Sequence, residues 1–438
     1  MLTRLRLLLP VVLLHPDFTS NSPSIATIAM STEYSSVRSQ FEDDLIGRLH
    51  SGDNECSSAL GVKLALSLVY PSMVEGSDAK RETENLLGFR PGKNMFADFR
   101  MAENDHSNKR GPTVKIAYAL WFDSSKKLHE AYSNSPVLQH LHGIDFRASK
   151  AGEEINAWVR DSTENRIESI VSPGRIRGDF VAVNAIYLKA AWRNKFQASH
   201  TTLENFSSPT AASPENSRTK RVPFMHQVQS YDYGEVDDYQ VLRLPFSGSE
   251  KLSMILALPN VAGSPAKQRF TAAQLVQSWS NLKQRAVAVA LPKFTFTSSY
   301  SSQLESALRE MGWKAAFRGG LRIFDTSESS LDMILQKTFI SVSEDGVEAA
   351  GVTAIMTRSL QRRPVETPVL FQADRPFQFF ITDGSNVLFE GHVSDPEFPL
   401  AEELEFSSDS HNKEGYWTES FRVETPTGPA DGYCANES

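Results

Sequence analysis

The sequence predicts an α+β fold built as one large unit. Three observations predict it: helical stripes in the N-terminal half, long strand-forming runs from residue 180 onward, and the composition of a folded globular chain. Hydrophobic residues make up 40% and charged residues 22% of the 438 residues, enough apolar material for a sizeable core. Neither an internal repeat nor an interdomain linker divides the chain.

Taken in order, Ser35 to Leu87 has a helical pattern, with Phe41, Leu45 and Leu49 spaced every four residues on one apolar stripe. Glu153 to Ile170 is helix-like as well, with Ile155, Val159, Ser162 and Ile167 on roughly one face. From Phe180 to Trp192 the character changes to a buried strand, marked by Val181, Val183, Ile186, Tyr187 and Leu188. Ser207 to Asn216 is rich in Ser, Pro and Ala and reads as a loop. Val241 to Leu258 reads as two strands around a Pro245-Phe246-Ser247-Gly248 turn. Val287 to Phe296 is a further strand, Gln303 to Phe317 a helix, and Ile334 to Val342 and Gln378 to Val393 are strand-like.

The formal net charge of -8 argues against a nucleic-acid partner. With only two cysteines, Cys56 and Cys434, the chain has no disulfide framework and no thiolate zinc cluster. Two free thiols are expected, a single long-range bridge being the alternative. Arg4 and Arg6 precede a short apolar run, Leu7 to Leu14, which matches a secretory signal and is too short to span a bilayer. The alternative is translation from Met30 and a cytoplasmic protein. Residues 1–29 are thus a signal peptide or extension, 30–399 the folded domain, and 400–438 an acidic, disordered tail. Asn205-Phe206-Ser207 is a glycosylation candidate.

Nucleophile-elbow, His-Glu-x-x-His, phosphate-loop and dinucleotide patterns are all absent. No enzyme, cofactor or metal is therefore expected. One segment stands out instead. Glu344, Asp345 and Gly346 form a polar turn directly after a strand run. Val347, Glu348, Ala349, Ala350, Gly351, Val352 and Thr353 follow, a run of small and β-branched residues with no proline before Pro364. Alternation puts Val347, Ala349, Gly351 and Thr353 on one strand face, and none is too bulky or charged for a sheet interior. Beyond it lies a polar, protease-attractive stretch with Arg358, Ser359, Gln361, Arg362 and Arg363.

Several separated motifs accompany this segment. They are Ile155-Asn156-Ala157-Trp158-Val159, Val183-Asn184-Ala185-Ile186-Tyr187-Leu188-Lys189 with Trp192 and Phe196, and Val222-Pro223-Phe224-Met225. Leu291-Pro292-Lys293-Phe294, Arg375-Pro376-Phe377 and Leu388-Phe389-Glu390-Gly391 continue the series. In this order, from about residue 35 to 399, the chain resembles the serpin family. The resemblance implies three β-sheets, about eight or nine helices and an exposed reactive-centre loop. It implies a monomer that traps a serine protease by inserting its cleaved loop into a sheet, with a non-inhibitory carrier, chaperone or storage protein as the alternative. Counting from Glu344 by the family interval puts the reactive bond at Leu360–Gln361, suited to a chymotrypsin-like or elastase-like target. Counting back from Pro376 favours Arg362 or Arg363, and Arg358–Ser359 is a third candidate of trypsin-like type. Glu344 to Thr353 would be the loop hinge. Lys293 would pair with Glu344, Trp192 would lie where insertion begins, and Asn184 would join a cluster where the sheet opens. The family's histidine of that cluster is Gln336 here, and its neighbouring serine is Asp332. The match is poor around Ser58 to Val69.

Overall fold

The computed structural model describes residues 40–398 apart from 89–112, 133–134, 173–175, 177, 211–212, 261–268, 326–327, 348–366 and 385. The N-terminal segment 1–29, the tail 400–438, Cys434, the hinge residues from Glu348 to Thr353 and the reactive-bond candidates from Arg358 to Arg363 lie outside the described residues.

Six α-helices occur among the described residues: α1 (Gln40–Leu49), α2 (Ala59–Val69), α3 (Asp78–Leu87), α4 (Ala151–Ser162), α5 (Ala272–Asn281) and α6 (Ser302–Glu310). The strands are β1 (Glu55–Ser57), β2 (Thr113–Asp123), β3 (Leu141–Ile144), β4 (Phe180–Ala191), β5 (Thr202–Thr210), β6 (Ser213–Val236), β7 (Tyr239–Pro245) and β8 (Ser253–Pro259). They continue with β9 (Lys283–Pro292), β10 (Phe294–Tyr300), β11 (Met333–Ser343), β12 (Gly346–Val347), β13 (Val369–Gln372), β14 (Phe377–Thr382) and β15 (Val387–Val393). Hydrogen bonding joins them into two sheets. One runs β10-β11-β12-β4-β2-β3, and the other runs β1-β15-β14-β8-β7-β6-β9-β13 with β5 on β6. The larger sheet is two groups of strands held together by the 24-residue β6, whose first half pairs with β5 and whose second half pairs with β7 and β9.

β4 reads as an apolar run interrupted only at Asn184 and Lys189 because it is covered on both faces. Val181, Val183 and Ala185 pack with Ile155 and Val159 of α4. Ala182, Ile186 and Leu188 face the main core, together with Val62, Leu66 and Val69 of α2. Leu335 of β11 joins the α4 cluster, so α4 lies over the junction of β4 and β11. α2 is buried nearly all round, as expected of a helix enclosed between layers rather than lying on a surface.

Several boundaries differ from the sequence reading. Residues 207–210 and 213–216 are not a loop but part of a β5–β6 hairpin, with Ser207 opposite Thr219 and Pro209 opposite Ser217. Cross-strand bonding overrides composition here, and among the described residues β5 pairs with β6 alone, so Pro209 sits in an edge strand where its missing N–H is tolerated. The stretch 35–87 is broken by β1, which bonds to β15 from far along the chain. The run from Val287 to Phe296 divides at Lys293, with β9 in one sheet and β10 in the other. α4 stops at Ser162, before Glu164 and Asn165 take positive φ. α6 stops before Gly312, whose φ of +96° cannot continue a helix.

Candidate functional site

β4 and β11 run parallel and pair from Met333↔Val181 to Thr338↔Ile186. Above that point they part, and β12 lies between them. Val347 pairs with Val342 of β11 and with Ala190 of β4, while Gly346 pairs with Ser343 and Ala191. Val347 is 1% exposed. Gly346 has φ +150°, and a Cβ on it would fall 2.1 Å from the Ala190 carbonyl oxygen. A glycine at this point lets the chain turn tightly into the seam.

The Glu344–Asp345 turn above β12 is held from several sides. Trp192 donates its backbone N–H to the Asp345 carbonyl and its indole Nε1–H to the Ser343 carbonyl, each at 2.9 Å. Its ring stacks on Phe246 with centroids 5.0 Å apart and meets Phe196 edge-on at 6.4 Å. Lys293 Nζ lies 3.0 Å from Glu344 Oε2, and Thr201 Oγ1 donates to Glu344 Oε1 at 2.8 Å. Lys195 Nζ lies 2.7 Å from Asp345 Oδ1. Burial by itself would raise the Glu344 carboxyl, but hydrogen bonds from its own backbone, Thr201 and Lys293 outweigh it and hold the group below the ordinary range.

In the middle of the seam, Gln336 is fully buried. Its Oε1 accepts from Ser57 Oγ at 2.7 Å and from Ser58 N–H at 3.1 Å. Its Nε2 donates to the Ser58 carbonyl at 2.8 Å and to Asn184 Oδ1 at 2.7 Å. Asn184 Nδ2 then donates to the Ala117 carbonyl of β2 at 3.0 Å. A primary amide offers two donor hydrogens and two acceptor lone pairs, and every one of Gln336's is used. Gly61 allows α2 to close on this cluster, since a Cβ there would meet Asn184 Oδ1 at 2.3 Å. Ser58 caps α2 by accepting from Gly61 N–H at 2.9 Å.

At the lower end, Asp332 Oδ2 accepts from the backbone N–H groups of Asp179 and Phe180 at 2.6 and 3.2 Å. It thereby ties the start of β4 to the residue just before β11. Burial, and then the nearby Asp179 charge, raises its carboxyl above the usual value. Lys337 Nζ reaches outward to the Ser169 carbonyl, beyond α4, at 2.7 Å.

The structure therefore brings together Asn184 and Gln336, and separately Trp192, Lys293, Glu344, Gly346 and Val347. Asn205 stands apart and exposed on β5. The sequence reading missed Ser57, Ser58, Lys195 and Thr201. Ser58 carried a signal in the apolar helix that follows it, which an N-cap serine should precede. Lys195 and Thr201 are ordinary polar residues whose partners arrive about 150 positions later.

Among the described residues no helix is long and apolar enough to cross a membrane. A family model described as "Serpin (serine protease inhibitor)" matches residues 37–396. Human Serpin B4 is 34% identical over 301 residues, 65% of this chain and 74% of that protein. The leukocyte elastase inhibitor of Xenopus tropicalis is 28% identical over 386 residues, covering 83% of this chain and 99% of its own. Among solved structures, Serpin48 of Tenebrio molitor has a TM-score of 0.68 at 24% identity, over 86% of this chain and 100% of that one. Human thyroxine-binding globulin with its ligand has a TM-score of 0.69 at 22% identity, over 84% and 100%. Motif order, the short strand β12 seated between β4 and β11, and the family match over 37–396 agree: the chain belongs to the serpin family.

Proposed function

We propose that the chain is a suicide inhibitor of serine proteases. The observation that carries this reading is β12. Gly346 and Val347 already bond to both β11 and β4, so the chain leading to the reactive segment starts inside the seam it would fill. A protease serine oxygen attacks the carbonyl carbon of Leu360. The Leu360–Gln361 bond breaks, the amine of Gln361 leaves with a proton, and Leu360 remains as an ester on the protease. The freed segment then extends β12 between β4 and β11, carrying the protease with it. Ala349, Ala350, Gly351 and Thr353 are small enough to enter, as the buried Val347 does at the first position. Leu360 suits a chymotrypsin-like or elastase-like protease, and the name of the Xenopus relative agrees with the latter. Arg358, Arg362 and Arg363 are the alternatives for a trypsin-like one.

The test is a denaturing gel after mixing the protein with chymotrypsin, elastase or trypsin. A detergent-resistant band near the summed masses is expected, and the enzyme that gives it selects between Leu360 and the arginines. Ala349→Arg should lose that band and be cleaved as plain substrate. A second reading, a non-inhibitory carrier, draws on the likeness to thyroxine-binding globulin and on Gln336 standing at the family's histidine position. Clean cleavage without a complex across a wide protease panel would establish it. We also place the protein outside the cell, with a glycan on the exposed Asn205. A glycosidase-sensitive mass in the medium of expressing cells, absent from Asn205→Gln, checks both points.

A further inference from the structure

The connection between α1 and β1 brings His50 and Glu55 against His392. Glu55 and His392 are direct partners across the β1–β15 ladder. One potential ligand atom from each of the three residues lies within 4.8 Å of the other two. All are largely shielded from solvent: the side chains of His50 and Glu55 are 7% and 12% exposed, and His392 is 6% exposed. His50 Nδ1 contacts Glu55 Oε1, and the two imidazoles meet edge to face with centroids 5.2 Å apart.

The surroundings aim these groups inward. Glu55 Oε2 accepts from Ser51 N–H at 2.9 Å and from Ser51 Oγ at 2.8 Å, which leaves Oε1 to face His50. His392 Nδ1 lies 3.1 Å from the Asp53 carbonyl oxygen. A carbonyl only accepts, so Nδ1 carries the proton and Nε2 keeps its lone pair. Outer hydrogen bonds of this kind fix tautomer and ring direction in metal-binding histidines. The three residues line a small pocket of about 20 Å³, which Arg269, Tyr300 and Glu390 also border. Arg269 Nη2 lies 3.4 Å from both Glu390 and Asp43.

We propose that His50, Glu55 and His392 form a binding site for a divalent transition-metal ion, zinc foremost, that fastens the α1–β1 turn to β15. Two imidazoles and a carboxylate suit zinc, whereas magnesium and calcium take all-oxygen sets. The ion replaces the proton between His50 and Glu55, and water in the pocket completes the coordination. Donors on one tetrahedral zinc ion at about 2.1 Å each stand about 3.4 Å apart, so closure draws the farthest of the three donors in by roughly an ångström and parts His50 from Glu55 to admit the ion. Ser57, two residues beyond Glu55, belongs to the Gln336 cluster, so the ion would sit beside the part of β1 that braces the seam.

The test uses the full chain, stripped with a chelator and titrated with zinc chloride by calorimetry and with cobalt(II) chloride by visible absorption. One zinc per chain is expected, uncontested by excess magnesium or calcium. Affinity should fall more than about tenfold in His392→Gln and in Glu55→Gln. It should be unchanged in His226→Gln, which removes a surface histidine paired with Glu204 at 2.7 Å. No binding, equal binding by His392→Gln, or loss only in His226→Gln would overturn the proposal. If the buried variants do not fold, the cobalt spectrum of the unaltered chain decides. Intense four- or five-coordinate bands support the site, and weak six-coordinate bands or none refute it.

Discussion

The two halves of the β4–β11 seam are closed by different chemistry. Below Thr338 the strands pair directly, α4 lies over them, and the buried Gln336 amide joins Asn184, Ser57 and Ser58 with no formal charge. Above that point a two-residue strand, a tryptophan and the Lys293–Glu344 ion pair do the closing, and the pair keeps some contact with solvent. Undoing the lower half strands several buried polar groups at once, whereas the upper half is held by separate contacts, one of them an ion pair open in part to solvent. The upper half is therefore the cheaper end to open, and it is the end from which the chain runs on past Val347 toward the proposed reactive segment.

That contrast can be broken most severely at β12. Val347→Arg places a guanidinium where the side chain is 1% exposed, and burying a charge there is costly. On the proposed mechanism the protease complex disappears from the gel while cleavage continues; a complex as abundant as that of the unaltered chain would sink the insertion reading. Next comes Gln336→Ala, which orphans buried groups at a cost of about 1–3 kcal/mol each. Thermal or denaturant unfolding should show a loss of about 3 kcal/mol, with Trp192 fluorescence in the folded state unchanged. A loss confined to a few tenths would mean that the network is not what closes the lower half.

Lys293→Ala tests the upper half and should lower stability by about 1 kcal/mol, the upper range for ion pairs with partial solvent contact. This effect has a pH signature. Glu344 is held below its ordinary value of 4.5, so its contribution is fully present above that value and is lost as pH falls through the lower folded value. Unfolding midpoints should converge between the variant and the unaltered chain in acid and separate toward neutrality. The smallest effect is expected at Lys337→Met, which removes an exposed hydrogen bond to Ser169 and should change stability by about 0.5 kcal/mol or less. A larger loss there would make the clasp over α4 part of what holds the seam.

Much of this architecture is legible in local pattern. The β4 run is apolar on both faces because α4 and α2 cover it, and a near-continuous apolar run states that directly. Phe41, Leu45 and Leu49 mark α1 by the same logic. Composition misled at 207–210 and 213–216, where small and polar residues suggested a loop although backbone pairing between β5 and β6 decides the conformation. Lys293 also looked like the middle of a strand, because a chain crossing from one sheet to another keeps its apolar rhythm on both sides.

By itself the sequence determined the periodicities, the small residues after Glu344 and the order of motifs, because these depend on neighbours within one element or on the linear spacing of the chain. Only the tertiary structure decided which distant groups meet. Gln336 finds Ser57 and Ser58 across about 280 positions, Asp345 finds Lys195 across 150, and His392 meets Glu55 only because β1 and β15 pair. Contacts of that kind carry no local signature: each polar residue reads as an ordinary surface group until folding removes water from it and leaves its hydrogen bonds to one particular partner.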